Sequence, residues 1–240
     1  LGGGTFALDV ALDRIERTGA GWRVLGQGTT REGSVDLVVD EVVAATGFSA
    51  PLRDLPDLGV RTFSQGRIPA LTPFWESEQG SGIYFAGNAT QGAAGLRKHG
   101  VGSSSAAVHG FRYNARVMAR QLAEAHLGIE VPRDRREPGA LVEYVLEEAT
   151  RAPELWAQKS YLARAVFLED GVSEIVPLAH FLDAGGPDAV AVAIEANAEG
   201  EVYPAVYLRR RGETSEHLLS SHHLNDFRGG EYERELAALL

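Results

Sequence analysis

Residues 82–110, "GIYFAGNATQGAAGLRKHGVGSSSAAVHG", constrain the fold of this chain more than any other stretch. Residues 83–86 form a short apolar run of the kind found in strands buried on both faces. Gly87 stops that run where the backbone must turn or approach another group closely. After the glycine-rich loop, Ser103, Ser104 and Ser105 stand at the expected start of a helix, where unpaired N–H groups point outward and favour an electron-rich ligand. Strand, glycine turn and helix N-terminus together imply a ligand cradle.

The flanking patterns extend this frame. Residues 101–128 read as a helix: alanines, Val108, Phe111, Val117, Met118 and Leu122 recur near helical spacing, while Arg112, Arg116 and Arg120 step along another face. Upstream, Phe6, Leu8, Val10 and Leu12 alternate with smaller or polar residues, the period of a half-buried strand. "RTGAGW" supplies a turn, "WRVLGQG" a second strand, and "SVDLVVDEVVAATGF" a third that runs into a fourth, buried strand ending at "ATG". Pro51, Pro56, Pro69 and Pro73 make residues 48–80 an irregular crossover. Pro132 and Pro138 bracket the charge run in "EVPRDRREPG", which reads as a solvated linker. Beyond it, residues 141–148 and 155–168 read as two helices separated near Pro153. "DAVAVAIEANAEGEVYPAVYLRR" reads as a hairpin around Glu199 and Gly200, and residues 232–240 as a terminal helix. No internal repeat is present.

Composition narrows the function classes. With 240 residues, 44% of them hydrophobic, the chain can bury a core. A formal charge of −10 argues against nucleic acid as a partner, because phosphate-backbone binders concentrate Lys and Arg. Lys98 and Lys159 are the only lysines; the arginine excess reads as coding bias. With no cysteine, the chain carries no disulfide, no Cys-ligated zinc and no thiol nucleophile of its own. No charged-then-apolar leader and no apolar run of roughly 18 residues occur, so the expectation is a cytoplasmic chain with no membrane partner. The opening "LGGGTFALDV" lacks an initiating Met, and Gly2, Gly3 and Gly4 have no strand before them, so they read as a flexible end left by truncation. The strand, G-x-G-x-x-G and helix order of a dinucleotide fingerprint is not found.

Taken together, "EVVAATGF", a proline-containing crossover, "GIYFAGNA" and a glycine-led helix resemble the C-terminal half of flavoproteins with two dinucleotide-binding domains. That group includes flavin-containing monooxygenases, N-hydroxylating monooxygenases and pyridine nucleotide-disulfide oxidoreductases. The resemblance covers roughly residues 5–127. It implies FAD and NAD(P)H as cofactors and an α/β fold: the C-terminal half of an FAD/NAD(P)-binding Rossmann-like arrangement followed by a small α+β domain. Residues 1–50 would end the NAD(P)H-binding domain, 51–130 would be the C-terminal part of the FAD-binding domain, and 131–240 an additional domain. Ala45, Thr46 and Gly47 hold the family's "ATG" positions, where the chain crosses back to the FAD domain. Gly87 matches the glycine of the later "GD" motif, but Asn88 replaces its aspartate; an Asn still offers an acceptor and a donor to a ribityl hydroxyl. Gly100, Val101, Gly102 and Ser103 would place a helix N-terminus at the pyrimidine side of the flavin, stabilising negative charge on the reduced ring.

The resemblance therefore implies part of an FAD-dependent, NAD(P)H-using oxidoreductase of the monooxygenase-like type, acting on a small-molecule substrate. Both dinucleotide fingerprints would lie N-terminal to residue 1, and the chain alone would be inactive. Self-association, if any, is expected through the C-terminal region. No catalytic residue is assigned. Two alternatives stay open: a non-catalytic interaction module on a decayed flavoprotein fold, and a disulfide reductase whose redox cysteines lie elsewhere. Ser103, Ser104 and Ser105 with His99 and His109 do not read as nucleophile and base, because no G-x-S-x-G elbow is present and helix capping explains the serines. His217, His222 and His223 lack a carboxylate at an established ligand spacing, so they read as a polar loop, and no metal is expected. Arg97 and Lys98 could meet a cofactor phosphate or remain solvated.

Overall fold

The computed structural model describes residues 9–30, 32–45, 52, 58–63, 66–80, 82–93, 97–98, 101–102, 108–197 and 199–240. Strands and helices are mixed, and the chain divides into two compact units, Leu1–Phe48 and Ser49–Leu240.

The smaller unit is an antiparallel meander, β1 (Val10–Thr18), β2 (Gly21–Gly28) and β3 (Ser34–Val39). Its register follows from alternation. Ile15, Val24 and Leu37 align across the three strands, giving one apolar face, while Arg23 and Asp36 lie on the other face. That second face is joined by a two-point ion pair, Arg23 Nε to Asp36 Oδ1 at 2.8 Å and Nη2 to Oδ2 at 2.6 Å. The register shifts between Leu12 and Arg14, where β1 comes so close to β2 that a Cβ on Gly26 would sit 2.7 Å from the Ala11 carbonyl oxygen. The three strands of the expected meander are present, β1 running from Val10 to Thr18 with Phe6 and Leu8 outside the described residues. The fourth, buried strand expected to end at "ATG" is not: residues 41–45 pair with no strand and are exposed, Val43 to 85%. Apolar side chains make a buried strand only where a neighbouring strand and a covering layer take them up.

In the larger unit, two-residue strands β4 (Thr62–Phe63) and β5 (Ile68–Pro69) pair, and the described residues from 58 to 80 form no longer strand and no α-helix, in keeping with the expected irregular crossover. A 3₁₀ turn, Gly87–Gly92, is followed by another two-residue ladder, β6 (Arg97–Lys98) with β7 (Val101–Gly102), and then by the long helix α1 (Val108–Leu127). The short strand β8 (Asp134–Arg135) precedes α2 (Leu141–Arg151) and α3 (Pro153–Ala157). β9 (Leu162–Phe167), β10 (Val172–Pro177), α4 (Leu178–Asp183), β11 (Ala189–Ala196), β12 (Val202–Arg210), β13 (Glu213–Leu218) and α5 (Gly230–Leu239) complete the chain. The six strands β13-β12-β11-β9-β10-β8 form one antiparallel sheet in that order.

Its central strand, β11, has the sequence AVAVAIEA, and the period of two sorts it into two different faces. Val190, Val192 and Ile194 pack with Leu141, Val145, Leu146 and Ala149 of α2 and with Tyr232 and Leu236 of α5. Ala189, Ala191 and Ala193 share the opposite face with Ala163, Ala165 and Ala205, packed with Leu178 and Phe181 of α4. Large residues fill the side that bears two helices, and alanines let α4 approach closely on the other. The β11–β12 hairpin turns where expected. Asn197 Oδ1 accepts the Glu201 N–H at 2.9 Å and Asn197 Nδ2 donates to Glu201 Oε2 at 2.8 Å.

Three further expectations are corrected in the larger unit. Residues 155–168 do not form one helix: α3 ends at Ala157 and residues 162–167 are the strand β9, pairing with β10 and β11. A strand buried on both faces has no clean alternation, so its apolar run resembles a helix segment until pairing decides. Residues 83–86 are not a buried strand. Tyr84 makes an isolated antiparallel bridge to Glu76, and the Phe85 N–H donates to the Trp75 carbonyl at 3.0 Å, so the run folds back locally and stays half-exposed. Val101 and Gly102 are not helical; they pair with Lys98 and Arg97. The terminal helix is present and begins at Gly230.

Candidate functional site

The Gly87–Gly92 turn is the point where the expected cradle can be examined. Ala86 is extended, and Gly87 then takes φ +66, a left-handed conformation that turns the chain and that glycine adopts without a steric cost. Among the described residues, a Cβ at Gly87 would meet no atom within 4 Å, so its backbone is uncovered by any of them. Asn88 follows, and it is exposed.

What holds this turn is a buried polar network centred on Thr90. The Thr90 hydroxyl donates to the Gly87 carbonyl at 2.8 Å and accepts from Asn114 Nδ2 of α1 at 3.0 Å. The Thr90 carbonyl accepts from the Tyr161 hydroxyl at 2.9 Å, and that hydroxyl accepts from Trp75 Nε1, also at 2.9 Å. Asn114 Oδ1 in turn accepts from Gln158 Nε2, which also donates to the Gly110 carbonyl at 3.1 Å. Thr90, Asn114 and Gln158 are all buried. Hydrogen bonds in such surroundings are strong because no water competes, and the network fixes geometry for the same reason.

The network lies beside an apolar cluster of Leu71, Trp75, Ala93, Tyr113, Tyr161 and Leu162. Thus residues before the turn, on α1 and at the start of β9 pack in one core. Gly110 fits the same picture. A glycine inside a helix costs about 1 kcal/mol relative to alanine, and here a Cβ would lie 2.9 Å from the Gln158 carboxamide. The helix gives up propensity so that Gln158 can reach Asn114.

Upstream of the turn, Glu76 Oε1 accepts the Gly82 N–H at 2.8 Å, shaping the approach to residues 83–86. The Tyr84 hydroxyl lies 3.0 Å from His126 Nε2 near the end of α1. Burial, with the Glu76 charge as a smaller contribution, raises the Tyr84 pKa, so it remains a neutral hydroxyl.

Of the cofactor residues expected from the sequence, Gly87 and Asn88 stand together at the start of the turn. Val101 and Gly102 belong to the β6–β7 ladder instead of a helix start, and Arg97 and Lys98 form its other strand. Thr46, Gly47, Gly100 and Ser103 lie outside the described residues, as do His99, Ser104 and Ser105. Among the described residues, no group of three or more His, Asp or Glu side chains is arranged to hold a metal ion. His217 lies on β13, paired with Val206 of β12, and not in the expected polar loop, and its Nε2 meets Glu235 at 2.9 Å, whereas His222 Nδ1 accepts the backbone N–H groups of Leu224 and Asp226 at 3.3 Å. No described helix is long and apolar enough to cross a membrane.

Sequence reasoning did not find Thr90, Asn114, Gln158 or Tyr161. Two signals were available in "HGFRYNARV": a glycine within a helical pattern and an asparagine amid the apolar stripe containing Val117 and Met118. Comparison with protein-family models, curated proteins and solved structures returns no match for this chain.

Proposed function

We propose that the chain supplies the C-terminal part of an FAD-dependent, NAD(P)H-using oxidoreductase of the monooxygenase-like type, with a partial Rossmann-like arrangement around the flavin. The observation that carries this reading is the glycine turn itself. Gly87 presents side-chain-free backbone that no described residue covers, and the buried Thr90–Asn114 network holds it in place. The resemblance of "ATGF" and "GIYFAGNA", forty residues apart, to the flavoprotein pattern adds the cofactor's identity.

The residues present suit an FAD ribityl chain. Gly87 leaves room for a close approach, and Asn88 beside it is an exposed residue whose carboxamide is of a chemical type that suits sugar hydroxyls. Bound FAD would supply hydride acceptance from NAD(P)H and delivery to oxygen or to a small-molecule substrate. The role of this chain is then positional. Thr90 fixes the Gly87 carbonyl, α1 anchors Thr90 through Asn114, and Tyr161 links the turn to the six-stranded sheet through β9. Binding groups held by buried side chains lose little entropy when a ligand arrives.

The test is flavin retention by the intact parent protein and two variants. The parent is expected to purify with non-covalent flavin, seen by its visible absorbance. Asn88→Ala should weaken retention. Gly87→Val should cost about 1–2 kcal/mol of stability, because a side chain is forced into the left-handed region, and should lose flavin as well. A parent protein that takes up no FAD on reconstitution would overturn the reading.

A further inference from the structure

A separate cavity of about 310 Å³ opens among α1, β10, α4 and the end of β12. None of its lining residues belongs to the Gly87–Gly92 turn, so a ligand held there is independent of the flavin reading. Phe74, Phe167, Phe181 and Ile175 give it apolar walls, and Arg209, His180, Glu124 and Glu174 are its chief polar residues. The size falls at the lower end for small-molecule sites.

Arg209 is the unusual member. It is only 2% exposed, yet its hydrogen bonds all go to uncharged backbone oxygens: Nε to Pro187 at 2.9 Å, and Nη1 to Phe181 at 2.9 Å and Gly185 at 2.7 Å. Its guanidinium carbon stands 4.2 Å from the centre of the Phe181 ring. Part of this is structural, since Phe181 and Gly185 contribute carbonyls at the C-terminal end of α4, which a cation stabilises. Nη2, however, has no hydrogen-bond partner among the described residues. A guanidinium stays protonated in proteins, and Arg209 makes no direct ion pair among the described residues, with Asp188 an opposing charge beyond ion-pair range. Burial pushes the Arg209 pKa below its ordinary value, against a smaller opposing effect of Asp188.

The other charges on the wall offset one another. Arg133 meets Glu174 at 3.0 Å and Glu124 at 2.7 Å, and Arg120 meets Glu174 at 3.7 Å. Among the lining residues two guanidinia thus face two carboxylates and Arg209 has no direct ion pair, while Asp188 and Asp183 act on the site from outside the wall. His180, edge-on to Phe74 at 4.7 Å, adds no second cation near neutral pH. Burial and then Arg209 hold its pKa below the ordinary value, with Glu174 and Asp183 opposing.

We infer that this cavity binds a small organic monocarboxylate, its carboxylate on Arg209 Nη2 and its apolar body among Phe74, Phe167 and Phe181. One lining guanidinium without a direct ion pair matches a monoanion, and the Glu124 and Glu174 carboxylates, with Asp183 and Asp188 beyond them, disfavour a phosphate dianion. Glu124 Oε1 is buried without a hydrogen-bond partner among the described residues, so a ligand that also carries a hydroxyl or ammonium group fits better still.

The experiment is a titration of the 240-residue chain with benzoate, its neutral isostere benzamide, and inorganic phosphate, followed by NMR of the side chains of His180 and Arg209. Benzoate should bind saturably and raise the His180 pKa, because it neutralises the repulsion from Arg209. Benzamide and phosphate should bind at least about tenfold more weakly. Arg209→Lys keeps the charge but loses the planar fork, and should weaken benzoate by a similar factor. Because that variant also disturbs the end of α4, the His180 shift in the unmodified chain is the independent readout. No benzoate binding, parity with benzamide or phosphate, or a His180 pKa that benzoate leaves unchanged would each overturn the inference.

Discussion

The two antiparallel sheets are built from the same alternating pattern and end in opposite states of burial. In the β1–β3 meander the apolar face leaves Ile15 43% and Leu37 46% exposed, whereas Val190, Val192 and Ile194 of β11 are 0% exposed. In the larger unit the cover comes from helices before, within and after the sheet strands. α2 and α5 deliver apolar stripes to one face of β11 and α4 covers the other, while the meander is stitched across its strands by Arg23 and Asp36. Alternation makes a sheet; only a second layer makes it a core.

The contrast is broken or sharpened first by truncating side chains. Ile194→Ala should lower stability by about 2–5 kcal/mol, the transfer loss plus a cavity between β11 and its helices. Leu12→Ala, at a position 62% exposed, should change it by less than about 0.5 kcal/mol. Denaturant unfolding of both variants measures this, and hydrogen exchange should show β11 amides protected far longer than those of β2. Equal destabilisation by the two substitutions would mean that the meander is as deeply packed as the larger sheet.

A smaller effect separates buried from exposed polar contacts. Asn114→Ala leaves the Thr90 hydroxyl and the Gln158 carboxamide each short of a partner, and should cost about 1–3 kcal/mol. Faster hydrogen exchange within the Gly87–Gly92 turn should accompany it. Arg23→Ala breaks an ion pair whose side chains are 46% and 47% exposed, and should leave the unfolding midpoint unchanged within error. A large loss from Arg23→Ala, with none from Asn114→Ala, would reverse the assignment of which contacts hold the fold.

The smallest effect is in pH. His180, half-buried in the larger unit, has its pKa held below the ordinary 6.5, chiefly by burial and then by Arg209. The unfolded chain therefore takes up a proton at a pH where the folded one resists it. This contribution to stability is complete above the ordinary value and is lost as pH falls through the interval down to the folded-state pKa. Unfolding midpoints measured across that interval should decline with falling pH, and His180→Gln should flatten the decline. A slope unchanged by that substitution would place the titrating group elsewhere.

Legibility of the fold followed the range of the forces involved. α2 was readable because Leu141, Val145, Leu146 and Ala149 fall on one helical stripe, and Pro153 bounds it. The β11–β12 hairpin was readable because valine and alanine alternate on one side of an Asn-containing turn. β9 was not, since LARAVF is buried at four of six positions and has no face to distinguish. At the candidate site, the glycine that turns the chain could be placed from its neighbours, but Val101 and Gly102 could not, because two-residue ladders have no periodicity to detect.

The sequence by itself determined where the chain must turn and which side chains share a face, since left-handed glycines, prolines and periods of two or 3.6 act within a few residues. Tertiary structure alone decided which runs became central strands, which sheet was covered, and how the glycine turn is held. The Thr90 network joins partners 24, 44 and 71 residues apart. Hydrogen bonds at that separation have no local signature, because each forms only after the apolar residues around it have excluded water.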